Sequence, residues 1–159
     1  MMLSCPVRTV RLLAALLLLS AAAAFAANKI GVVTNTGNLS FGRFVANTGG
    51  TIVLNTAGQR AATGGVVLLS GISVTAASYT LTEIGTGKAL AFTTISLPGS
   101  ATLSNGSATM TVNNFVSDPP NTVVGSGKTT VLVGATLRVA PLQAGGNYSG
   151  TYAITVNYQ

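Results

Sequence analysis

Few side chains in this sequence could do chemistry. Glu83 and Asp118 are its only two acidic residues, and it has no histidine. A paired-carboxylate hydrolase would have to use these two, held on either side of one bond. Thirty-five positions of sequence separate them, and they read as ordinary surface or loop acids. Ser126 and Lys128 are close enough in sequence for a serine–lysine dyad, but their setting reads as a polar turn. Triads and dyads that need histidine are ruled out. The single cysteine, Cys5, and the absent histidines leave no zinc ligand set. No catalytic residue, metal or cofactor is expected.

One stretch imitates a phosphate-binding loop, Gly125-Ser126-Gly127-Lys128-Thr129-Thr130. The motif requires a glycine where Thr122 stands and a helix after the lysine. Val131-Leu132-Val133 instead reads as strand. Gly85-Thr86-Gly87-Lys88 reads as a hairpin tip. The Asn-x-Ser/Thr matches at Asn38, Asn105 and Asn147 carry weight only in a glycosylating host.

The first 26 residues have the plan of a secretory signal peptide. Arg8 and Arg11 form the positive region, Leu12 to Ala23 the apolar run, and Ala24-Phe25-Ala26 the small-x-small cleavage site. The run is too short to span a bilayer. Cleavage after Ala26 removes Cys5 and both arginines, so net charge falls from +6 to +4 and no disulfide remains. The mature chain is expected in the periplasm, at the cell surface or outside the cell. It has no integral membrane segment. The remaining basic residues, Lys29, Arg43, Arg60, Lys88, Lys128 and Arg138, are scattered. A nucleic-acid footprint would cluster them among stacking aromatics, so no nucleic-acid partner is expected.

The elements that must position any site are strands. Residues 27–38 read as an N-terminal extension or first strand, and residues 39–159 as one β-sandwich domain. Asn35 to Asn38 reads as a turn. Leu39 to Ala46 and Thr51 to Asn55 read as a hairpin closed by Asn47-Thr48-Gly49-Gly50. Val66 to Leu69, apolar on both faces, reads as a central strand. Ser73 to Thr82 follows, with Tyr79 and Leu81 on one face. A phase slip in Ala89 to Leu97 predicts a bulge near Thr93-Thr94. Asn105-Gly106 predicts a two-residue hairpin. Ala108 to Val116 changes phase between Val112 and Phe115, and Pro119-Pro120 ends it. Thr129 to Val139 alternates through Val131, Val133, Ala135, Leu137 and Val139. From Tyr148 to Gln159 the alternation is unbroken, with Tyr152, Ile154, Val156 and Tyr158 on one face.

Three segments, Leu39-Ser40-Phe41-Gly42-Arg43-Phe44, Ala62-Thr63-Gly64-Gly65-Val66 and Met110-Thr111-Val112-Asn113-Asn114-Phe115, set a recognisable pattern. Val133-Gly134-Ala135-Thr136-Leu137-Arg138-Val139 and the tail Ala144 to Tyr152 complete it. Together these resemble the bacterial exported family known as domain of unknown function 4402. The resemblance implies an immunoglobulin-like β fold outside the cytoplasm, with no established activity. A looser resemblance, to subunits of chaperone–usher pili, rests on Gly146, the alternating tail and Tyr158. It implies a terminal strand read by a periplasmic chaperone, and a fold completed by a neighbour's N-terminal extension. The corresponding extension here is Ala27 to Asn38. The residues expected to carry such assembly are Ile30, Val32, Gly146, Tyr152, Ile154, Val156 and Tyr158. The alternative is that Ala27 to Thr34 pairs within its own domain.

Two functions therefore stand. One is a non-enzymatic, pilin-like surface subunit assembling by strand exchange with itself or related subunits. The other is a self-contained periplasmic or surface domain that binds an unidentified ligand. An outer-membrane barrel would need aromatic girdles, yet aromatics make up 6% of the chain and tryptophan is absent. A sugar-binding module would expose aromatics, whereas the four tyrosines sit at core parity. An adhesive face of Thr and Asn stays open.

Overall fold

A computed structural model of the chain describes residues 30–85, 92–120, 122–125 and 128–158. The segment read as a signal peptide (residues 1–26), Ala27 to Lys29, Thr86 to Ala91, Asn121, Ser126-Gly127 and Gln159 lie outside the described residues. The described residues form ten strands, β1 (Ile30–Gly37), β2 (Arg43–Leu54), β3 (Arg60–Leu69), β4 (Ala77–Ile84) and β5 (Phe92–Ser96), then β6 (Ser100–Ser104), β7 (Thr109–Asp118), β8 (Thr122–Gly125), β9 (Thr129–Val139) and β10 (Thr155–Tyr158). No described residue is helical. The expected all-β, antiparallel sandwich holds, and its pairings are all antiparallel.

The organising element is β9. Its clean alternation buries Val131, Val133, Ala135, Leu137 and Val139, as the period-two pattern requires. One edge of β9 pairs with β7. The other edge is shared: Thr129 to Val133 pair with β4, and Ala135 to Val139 with β2. Gly134 lies at the changeover. The sheet splays there, and two cores form. One gathers Ile52, Leu54, Met110, Val112, Ala135 and Leu137. The other gathers Ala77, Tyr79, Leu81, Ile95, Val131 and Val133, under the smaller sheet β10-β5-β8. Fully buried side chains such as Ile52, Leu81 and Leu137 each contribute about 1.5–3 kcal/mol by leaving water.

Both phase slips are bulges. The β7–β9 register breaks between Asn113 and Val116, with Asn114 at φ 48°. The β5 register breaks between Phe92 and Thr94.

Several boundaries differ from the sequence reading. Asn35 to Gly37 belong to β1, with an irregularity in place of the expected turn. Asn47 to Gly50 do not reverse the chain. They form a bulge inside one long β2, and the hairpin partner is β3, reached through the Asn55–Gln59 turn. β3 is an edge strand and not a central one; Val67 is 56% exposed. β4 begins at Ala77, and Thr75 forms only a bridge with Ser40. The Asn105-Gly106 hairpin exists, but Ser104 pairs with Thr109, so its loop has four residues. The Asn105 side-chain oxygen accepts from the backbone N–H of Ser107 and Ala108 and holds that loop shape.

Candidate functional site

The two acids considered first, Glu83 and Asp118, are not brought together. Asp118 pairs with Leu132 on one edge of β9, and Leu132 pairs with Ser78 on the other. Glu83 lies five residues farther along β4. At ~3.3 Å per residue this is roughly 16 Å along the strands alone, beyond the reach of two carboxylates acting on one glycosidic bond. Among the described residues, no group of three or more His, Cys, Asp or Glu could hold a metal. Lys128 leads into strand β9, not into a helix.

A groove of about 1120 Å³ runs over the main core. Its floor is sheet, with Leu103, Met110, Val112, Phe115 and Leu137 facing it. One wall is residues 38–46 and the other is residues 143–152. The two walls are joined at one end, where the Leu142 backbone N–H donates to the Asn47 carbonyl at 3.0 Å, and share no ladder along the groove. Ser40 exchanges backbone hydrogen bonds with Thr75, at 2.8 and 3.1 Å. Ser149 exchanges bonds with Ser104, at 2.8 and 3.0 Å. No backbone hydrogen bond between described residues engages Thr151 to Ile154, although their side chains alternate in and out as in a strand.

Side chains pin each wall. The Arg60 guanidinium donates to the carbonyls of Phe41 (2.6 Å), Arg43 (2.9 Å) and Leu69. Gln143 Nε2 donates to the Tyr148 hydroxyl at 2.8 Å, and that hydroxyl donates to the Ala144 carbonyl at 2.8 Å. Sequence reasoning missed both clamps. Arg60 reads as one more scattered cation, because its acceptors are backbone carbonyls brought in by β2 and β3. The groove itself was also missed, since its walls are about a hundred positions apart in sequence.

The seven residues expected to carry assembly fall into three places. Ile30 and Val32 are on edge strand β1, paired with Ile84 and Thr82 of β4; Ile30 is 59% exposed and Val32 half-buried. The first strand thus lies in its own sheet. Gly146 sits in the second wall against the β6–β7 turn, where a Cβ would meet Asn105 Nδ2 at 2.8 Å. Tyr152, Ile154 and Val156 face inward against the second core, as the parity predicts, while Tyr158 is half-exposed. The long terminal strand expected from Tyr148 is laddered only over Thr155–Tyr158, on β5.

Tyr152 stacks on Phe115, with centroids 4.9 Å apart, and meets Tyr79 edge-on at 6.5 Å. Burial pushes its phenol pKa well above the usual value, and the Tyr79 hydroxyl beside it adds to the shift without reaching hydrogen-bond geometry. Below about pH 10 folded and unfolded chains both keep the proton. Above that the unfolded chain loses it first, so stability falls as pH rises. Tyr152→Phe removes a buried hydroxyl that has no partner. It is expected to leave stability at pH 8 unchanged or raised by up to ~1 kcal/mol, with a larger advantage at pH 11. Urea midpoints at the two pH values check this; a variant less stable than wild type at both would contradict it.

The fold and groove define an antiparallel β-sandwich with a groove over its main core, between two walls that share no ladder along it. The chain belongs to the family described as Domain of unknown function (DUF4402), which matches residues 32–158 and so takes in both walls and the groove floor. No curated protein and no solved structure matches the chain.

Proposed function

We propose that this chain is an exported structural subunit of the cell surface that works without catalysis and joins its partners by adding strands to open sheet edges. The observation that carries this reading is the groove. Its apolar floor belongs to the main core, and its walls, joined at one end by the Leu142–Asn47 backbone bond, share no ladder along it. Strand addition supplies both missing elements, main-chain hydrogen bonds and alternate apolar side chains. The partners are further copies or related subunits, with a periplasmic chaperone covering the groove before assembly. Export rests on the signal-peptide pattern of residues 1–26.

A second reading is favoured by one observation: β1 is already paired along β4 in its own domain. A chain folded this way can act alone, as a periplasmic or surface domain that takes a ligand into the groove. Light scattering on purified residues 27–159 separates the readings. The subunit reading expects a mass that rises with protein concentration toward multimers. A constant monomer mass across the range would leave only the second reading.

A further inference from the structure

We propose that the outer face of the larger sheet, on the side away from the groove, is a binding face for acidic polysaccharide with Arg138 at its middle. The ladders place five side chains in one row across five strands. Thr102 of β6 pairs with Thr111 of β7, Thr111 with Arg138 of β9, Arg138 with Thr51 of β2, and Thr51 with Thr63 of β3. Their neighbours along the strands, Met110, Val112, Leu137 and Ile52 among them, pack into the main core. The row itself therefore faces the other way. The Thr51 and Thr63 hydroxyl oxygens, 2.7 Å apart, show the alignment directly. Thr102, Thr111, Arg138 and Thr63 are exposed, and Thr51 is half-buried. Four strand spacings make the row roughly 19 Å long. The row beside it carries Ser100, Asn113 and Thr136 on β6, β7 and β9.

The chemistry of this face selects its partner. Among the described residues the Arg138 guanidinium has no hydrogen-bond or ion-pair partner. Both acids are distant. Asp118 lies opposite Leu132, six residues along β9 from Arg138 and so roughly 20 Å away. Glu83 lies on β4 beyond the opposite end of β9. An open guanidinium is a planar fork for one carboxylate. The threonine hydroxyls on either side donate and accept, as sugar hydroxyls do, and so exchange hydrogen bonds with the rings that flank that carboxylate. A sugar polymer with carboxylates at intervals supplies both groups. Nucleic acid fits less well, because it brings a phosphate with every nucleotide. The row offers one cation and no aromatic ring for a base. An anionic bilayer would need apolar side chains to bury, and the row has none. The chain stays net positive after removal of residues 1–26, which favours an anionic partner. Of the readings above, the proposal requires only export.

The test is retention of purified residues 27–159 on immobilised polygalacturonate and hyaluronate at low salt, with dextran as the neutral comparison. Wild type should be held by at least one acidic polymer, be released as salt rises, and pass through dextran. R138Q should bind about tenfold more weakly, the loss of one charge-assisted pair. R138K should recover part of that loss, since an ammonium is a point charge. T102V with T111V keeps the branched shape and removes two hydroxyls, and should weaken binding severalfold with the guanidinium intact. K128Q removes the same charge at the start of β9, roughly 33 Å away, and should bind as wild type does. Circular dichroism spectra of the variants should match wild type. R138Q binding equal to wild type, or an equal loss in K128Q, would overturn the site in favour of diffuse charge attraction. Tighter retention on single-stranded DNA, lost in R138Q, would give the face to nucleic acid and overturn the polysaccharide. Passage through both acidic columns would overturn the proposal and leave export and the groove readings standing.

Discussion

Gly134→Val is expected to abolish the folded state at room temperature. Gly134 is fully enclosed at the point where β9 passes from β4 to β2. A Cβ there would run into the Leu54 carbonyl oxygen and lie 2.8 Å from the Asn55 carbonyl carbon. Both obstacles are backbone, so no side-chain rotation relieves them. Relief requires β2 to move away from β9, which opens the core around Ile52, Leu54 and Leu137. Overpacking of this kind falls in the tail of substitution effects, at about 4 kcal/mol or more. A domain of marginal stability loses most of its folded population to such a change. Gly134→Ala should fold with a sharply lowered urea midpoint. Gly99→Ala, with nothing within 4 Å, is the control and should shift stability by under ~0.5 kcal/mol. A Gly134→Val protein with a wild-type melting curve would show that the two strands do not approach as described.

The same crowding explains what could be read from the sequence and what could not. β9 was legible residue by residue, because a strand with one buried face writes its environment as a period of two. The β7 bulge was legible too, since a change of phase within an apolar run has few other causes. The Gly49-Gly50 pair was misread as a turn. Its role appears only when β3 is laid alongside: Gly50 opposes Gly64, and a Cβ on either would strike the other strand's backbone. Glycines that permit a turn and glycines that permit two strands to touch look alike in one dimension. The edge position of β3 was hidden for a related reason. Its Val66-Val67-Leu68-Leu69 run is that of a covered strand, yet one face lies open. For the site, the inward parity of Tyr152, Ile154 and Val156 could be read directly, whereas the groove could not. It is made from what segments 38–46 and 143–152 fail to do to each other, and no local pattern records a missing pairing.

The second large effect is expected at Arg60. Its guanidinium gathers three carbonyls, those of Phe41 just before β2, Arg43 at its start and Leu69 at the end of β3. These groups converge because the Gly42 backbone, at φ +69°, bends the first wall where it enters β2. A Cβ on Gly42 would meet Arg60 Nη1 at 2.9 Å, so the guanidinium is packed against bare backbone. Arg60→Met keeps the length and apolar stem but removes every donor, which leaves partly buried carbonyls without partners. Allowing for partial exposure to solvent, the expected loss is about 2 kcal/mol, read as a lowered urea midpoint with an unchanged slope. Arg60→Lys should recover only part of it, because one ammonium cannot reach three acceptors as a planar fork does. The functional consequence should exceed the stability loss. With the clamp gone, residues 38–46 are no longer held at the groove's edge, so strand capture should weaken even at low temperature, where the variant is still folded. Equal midpoints for Arg60→Met and wild type would mean that the ladder between β2 and β3 alone holds this wall in place.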